Sequence, residues 1–182
     1  DKTLEWTVYA TNEGTNRNTA NPNNEMLFGG RLVYAIIGQN KYTQSDVTNS
    51  EDPNLAIGFA GNWTRLSATP APDISQAAGT VDINARWRGF SAIGAGFLFR
   101  NFTANTSTYG FLGQVGYFII PERFEIAARF SGVIPQGAVT NGYEAGADFN
   151  YFFYGHRLKL QLDYKLLINS ALVLNGATGP GR

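Results

Sequence analysis

Cysteine is absent from the 182 residues, and histidine occurs once, at His156. The first absence removes a disulfide framework, a thiol nucleophile and any thiolate metal site. The second leaves the most common general base of hydrolytic catalysis with only one place to stand. No stretch approaches the roughly 18 consecutive apolar residues of a membrane helix, so a helical membrane protein is excluded. Neither sign of charge is in excess: 14 basic and 14 acidic residues cancel, which argues against a nucleic-acid binder driven by phosphate neutralisation. Charged residues make up only 15% of the chain, against about 25% in soluble domains. No basic leader followed by an apolar segment and a cleavage site precedes Leu4. The expectation is an abruptly starting mature chain or the later part of a longer one.

What the chain does have is a two-residue rhythm. Leu158, Leu160, Leu162, Tyr164 and Leu166 alternate with Arg157, Lys159, Gln161, Asp163 and Lys165. In a strand those two sets point to opposite faces. Val81, Ile83, Ala85 and Trp87 interleave in the same way with Thr80, Asp82, Asn84, Arg86 and Arg88. Strands of about ten residues with one apolar and one charged face, flanked by aromatics, are the pattern of a transmembrane β-barrel. Abundant glycine (21 residues) and aromatics (14%) agree with it.

The pattern predicts nine strands, over 4–10, 26–36, 55–64, 79–88, 91–101, 109–118, 124–131, 143–153 and 157–167. Long Asn-, Gly- and Thr-rich connections at 11–25, 65–78, 102–108 and 131–142 alternate with tight turns at Arg88-Gly89-Phe90, Ile120-Pro121-Glu122-Arg123 and Tyr154-Gly155-His156. That alternation matches the two ends of an outer-membrane barrel. The segment 37–54 falls on the short-turn side yet is long. Aromatics gather near both ends: Trp63, Phe99, Phe102, Tyr109, Phe130, Tyr143 and Tyr164 near the loops, and Trp87, Tyr117, Phe124, Tyr151 and Phe153 near the turns. Rings of this kind prefer the headgroup level. A soluble β-sandwich is the competing reading, but its closed core would not need so many ionised residues on the opposite face of the same strands.

An open sheet edge cannot stand in lipid, and bacterial single-chain barrels close with an even number of strands. Nine is odd, and the residues after Leu167 read as a loop entry. The expectation is therefore a partial barrel domain over 1–182, lacking N-terminal strands and a closing C-terminal strand.

Several stretches resemble the phosphate-selective porin O and P family of Gram-negative outer membranes. They are Gly30-Arg31-Leu32-Val33-Tyr34, Leu55-Ala56-Ile57-Gly58, Tyr117-Phe118-Ile119-Ile120-Pro121 with Phe124-Glu125-Ile126-Ala127-Ala128-Arg129, and the run from Gly155 to Tyr164. They follow the order of the family's C-terminal half. The resemblance implies an outer-membrane porin of about sixteen strands, usually a homotrimer with a constriction, in which these nine strands are about the seventh to the fifteenth. It implies passage of small solutes or inorganic anions, contact with outer-membrane lipid and no cofactor.

The inward set contains Arg31, Arg86, Arg88, Arg100, Arg129, Arg157, Lys159 and Lys165, opposed by Glu5, Asp82, Glu125, Glu144, Asp148 and Asp163. Phosphate selectivity needs closely spaced guanidinium and ammonium groups. Mixed signs favour a cross-linked, hydrated wall, with a basic stripe centred on Arg86, Arg88 and Arg129 as the alternative. Enzymatic chemistry finds no foothold: His156 reads as a turn residue, and Asp46, Glu51 and Asp52 lack the ligand spacing of a calcium loop and read as a solvated acidic segment. Gly94-Ala95-Gly96 sits in a strand and cradles no phosphate. Two functions remain, a passive channel and a structural or interaction barrel with a plugged lumen or partner-binding loops.

Overall fold

The computed structural model describes residues 3–12, 25–39, 43–66, 73–137, 140–155 and 157–169. Among them there is no helix, and nine antiparallel strands form one sheet in chain order. They are β1 (Leu4–Asn12), β2 (Met26–Ile37), β3 (Asn54–Leu66), β4 (Ile74–Trp87), β5 (Phe90–Asn101), β6 (Thr106–Ile120), β7 (Phe124–Pro135), β8 (Gly142–Tyr154) and β9 (Leu158–Ile168). Every strand pairs with its neighbours in sequence, so the sheet is a continuous meander. β1 and β9 do not pair with each other, and the sheet is open.

All nine expected strands are present, and several run further than expected. β4 starts at Ile74 because Ser75 and Gln76 continue the ladder opposite Arg65 and Thr64. β5 and β6 extend until Asn101 faces Thr106, which reduces the expected loop 102–108 to the four residues 102–105. β7 reaches Pro135. The contrast between long and short connections is accordingly weaker than the sequence suggested. Polar runs read as loop can still pair when both strands carry small or hydroxyl side chains that fit the pleat.

The turn between β4 and β5 is a two-residue hairpin in which Arg88 and Gly89 both have positive φ, 48° and 78°. That mirror-image turn matches strand twist and normally recruits Asn or Gly. Arg88 takes the first position and therefore leaves the strand. His156, expected in the last turn, lies outside the described residues, as do most of 11–25 and all of 170–182.

The register sorts the side chains. One face carries Trp6, Val8, Leu32, Tyr34, Phe59, Val81, Ile83, Trp87, Tyr117, Ile126, Phe149, Leu160 and Leu162, all exposed. The other carries Asp82, Asn84, Arg86, Ser91, Glu125 and Asn150, all buried. A water-soluble sheet does the reverse. A single layer whose polar side is crowded and whose apolar side is splayed curls towards the polar side.

Two regions depart from the pattern. Phe97 and Phe99 share the polar face with Thr80 and Ala78, their partners in β4, so Phe99 is not part of an aromatic ring on the apolar face. On the apolar face, Phe111, Phe130 and Tyr143 cluster with ring centroids 5.6–6.4 Å apart. They close over Gly132, where a Cβ would stand 2.6 Å from the Phe111 ring.

Candidate functional site

The polar face gathers charged and amide side chains from β2 to β9. Arg31 on β2 reaches across β3 to Asp82 on β4, with Nη2 at 2.6 Å from Oδ1 and 2.9 Å from Oδ2. Gly58 lies between them: a Cβ there would come within 2.4 Å of Asp82 Oδ2 and 2.7 Å of Arg31 Nη2. Further along, Arg129 pairs with Glu144 on the neighbouring strand. Asp148 and Asp163 stand directly opposite each other on β8 and β9. Lys159 lies over the Phe152 ring, 5.9 Å from its centroid, and Lys165 faces Gly146.

The long connection from β2 to β3 folds onto this face. Asp46 is 0% exposed and acts as its keystone. Oδ2 accepts from the Ser50 and Gly89 backbone N–H groups, each at 2.9 Å, and Oδ1 accepts from Ser50 Oγ at 2.6 Å. Asp46 thus forms a tight turn within the connection, with Asn49 at φ 47°, and ties it to the β4–β5 hairpin.

Three further links hold it. Arg86 Nη1 donates to Thr43 Oγ1 at 2.7 Å, Asn84 Nδ2 donates to the Thr43 carbonyl at 3.3 Å, and Ser45 Oγ donates to Glu125 Oε2 at 2.9 Å. Glu125, 1% exposed, also accepts from Asn150 Nδ2. Gly116 makes the room, since a Cβ there would be 2.7 Å from Glu125 Oε1. At the rim, the Trp87 indole N–H donates to the Glu51 carbonyl at 3.2 Å. Residues 43–53 are therefore an inward strap across the polar face at the short-turn end.

Most sequence-predicted site residues lie on this face, though they do not form one cluster. Arg31, Arg86, Arg129, Lys159, Lys165, Asp82, Asp148 and Asp163 are on it, spread from β2 to β9. Three expectations change. Arg88 sits in the hairpin with its guanidinium 5.2 Å from the Trp87 ring centroid, not beside Arg86. Arg157 is in the β8–β9 turn, where its N–H bonds the Tyr154 carbonyl. Arg100 pairs with Ala77 on the apolar face, at its loop end, and donates to Ser107 Oγ at 2.9 Å and to Asn105 Oδ1.

The reason for the Arg100 reversal is local: Phe97, Leu98 and Phe99 are three apolar residues in a row, so alternation cannot say which way the strand faces. The basic stripe of Arg86, Arg88 and Arg129 does not assemble, because Arg88 has left the strand. Asp46 is not a solvated acid but a buried hydrogen-bond acceptor. No group of three or more acidic or histidine side chains able to hold a metal ion occurs among the described residues.

Sequence reasoning missed the strap, Thr43 and Ser45 included, and the amides of Asn84, which bonds it, and Asn150, which bonds its partner Glu125. One signal was present: Asp46 followed by Thr48-Asn49-Ser50 is the composition of a side-chain-capped turn. Nothing local says which surface such a turn will cover.

The class these features define is an all-β chain of nine antiparallel strands in one sheet, apolar on its exposed face and polar on its buried one. Comparison with protein-family models, with curated proteins and with solved structures yields no significant match.

Proposed function

We propose that this chain is part of the wall of an outer-membrane β-barrel that passes small hydrophilic solutes or anions by diffusion. The observation that carries the reading is the inversion of its faces: exposed apolar side chains on strand after strand, and buried Asp82, Asn84, Arg86, Glu125 and Asn150 behind them. An apolar face of this extent is stable in lipid and not in water. Closure requires strands that pair with β1 and β9, since unpaired backbone groups are not tolerated in hydrocarbon. The porin O and P resemblance supports a trimeric channel of about sixteen strands.

Acidic partners compensate Arg31 and Arg129, and with Arg88, Arg100 and Arg157 off the face the described polar side holds no excess of basic groups, so no anion preference is expected from these strands. A second reading has its own support. The strap of residues 43–53, hydrogen-bonded to Arg86, Asn84 and Glu125, narrows the polar side and favours a plugged structural barrel.

Conductance across planar bilayers separates the two. A channel gives ion currents and, under a salt gradient, a reversal potential whose sign reports the net charge of the lumen and which fades as salt screens the field. Absence of conductance in the reconstituted protein would leave the plugged barrel as the better reading.

A further inference from the structure

Between the strap and the start of β3 lies a polar cavity of about 430 Å³ with Arg86 in its wall. Arg86 is 4% exposed. Its Nη1 donates to Thr43 Oγ1 and its Nη2 to Asn54 Oδ1 at 3.4 Å, but its Nε–H has no acceptor. A buried guanidinium N–H costs free energy until an acceptor reaches it, and such orphans mark places where water or a ligand belongs. The neighbouring carboxylate does not supply one: the hydrogen bonds of Asp46 run to Ser50 and Gly89.

The same cavity is lined by Glu51 and Asp52, whose side chains are exposed. Glu51 and Asp52 draw a positive group towards themselves, while the Arg86 Nε–H lacks an acceptor. The ligand that satisfies both carries an acceptor of negative charge at one end and an ammonium group at the other. The volume is at the small end of the range for ligand sites.

We infer that the cavity binds small zwitterionic solutes of the amino-acid class, with the carboxylate on Arg86 and the ammonium group towards Glu51 and Asp52. The charge-assisted contact to a planar guanidinium fixes orientation at one end. The exposed acids provide looser, longer-range attraction at the other. The inference concerns binding and stands whether or not solute crosses a membrane.

The test is saturation-transfer NMR on the protein in detergent micelles with glycine, β-alanine and γ-aminobutyrate, which differ in the distance between their charges. Propionate and propylammonium are the single-charge controls. At least one zwitterion should bind saturably and about tenfold more tightly than either control, the size of effect expected from losing one hydrogen bond to a charged group. Arg86→Gln should abolish that preference, and so should the pair Glu51→Gln with Asp52→Asn. Because Arg86 also braces the strap, the exposed acidic pair carries the test if Arg86→Gln fails to fold. Equal binding of propionate would make this a plain anion site. Saturable binding by none of the five compounds would mean that the cavity holds water only. Either result, or indifference to the acidic pair, overturns the inference.

Discussion

Gly58 decides whether the Arg31–Asp82 pair can form, because it is the position on β3 over which the two side chains meet. Gly58→Ala puts a methyl group into contact with both charged ends, which must swing aside and break the pair to admit it. Because those ends belong to flexible side chains, the cost should be about 0.5–1 kcal/mol, near the worth of the part-exposed pair itself. Gly61→Ala is the control, since its nearest neighbour would be the Ala78 carbonyl at an ordinary 3.5 Å. Denaturant unfolding of the two variants in the same detergent should show the first shifted and the second unchanged; similar midpoints would mean that the pair does not depend on the gap. A second contrast at this scale lies on β9. Leu160 is 66% exposed on the apolar face, while Gln161 faces Asn150 on the polar one. If the apolar face meets lipid, Leu160→Arg should cost about 2–4 kcal/mol and Gln161→Arg little. Equal losses in vesicle-refolded protein would refute that facing.

At the scale of elements, the strap matters more than any single strand. Asp46 gathers two backbone N–H groups and one hydroxyl from two separate turns. Asp46→Ala leaves the buried Gly89 N–H and the part-buried Ser50 N–H without their acceptor, a loss of about 1–3 kcal/mol in local stability. Hydrogen exchange at those two amides should accelerate, with the strands beyond β4 and β5 unaffected. If the strap narrows a lumen, the variant should also conduct better than the parent; unchanged exchange at Gly89 would remove Asp46 from the role of keystone. The β4–β5 hairpin shows the same principle in smaller form. Its mirror-image turn places Arg88 at positive φ over Trp87, and so takes from the polar face a charge that alternation alone would have put there.

For the whole molecule, the deciding feature is the pair of open edges. β1 and β9 are exposed along their full lengths, on both faces. Unpaired edge strands recruit other strands, and in lipid they must. Residues 1–182 refolded alone in detergent should therefore give self-associated species and not the heat-modifiable band of a closed barrel. A stable conducting monomer of these residues would show that the nine strands close by themselves. The mixed charges of the polar face belong to this scale too. Arg129 with Glu144 cross-links neighbouring strands and Arg31 with Asp82 spans β3 to join β2 to β4, and the cross-linked, hydrated wall is the pattern they support over an anion ladder.

The number of strands, their antiparallel order and the two-faced character of β4 and β9 were all legible in the sequence. Strict alternation is a local property: Val81 to Trp87 and Leu158 to Leu166 declare their faces without reference to any neighbour. Where alternation fails, as at Phe97-Leu98-Phe99, facing is set by the partner strand, and only the register of β4 with β5 turns Arg100 to the apolar side. The ends of β4 and β6 were hidden for the same reason, since Ser75 and Thr106 pair because something suitable stands opposite. The strap could not be read at all beyond its turn-forming composition. Its bonds join Ser45 to Glu125 and Asp46 to Gly89, residues 80 and 43 positions apart. Contacts of that separation exist only after the sheet has brought its turns together, so local pattern determined the strands, and tertiary structure alone decided what covers the polar face.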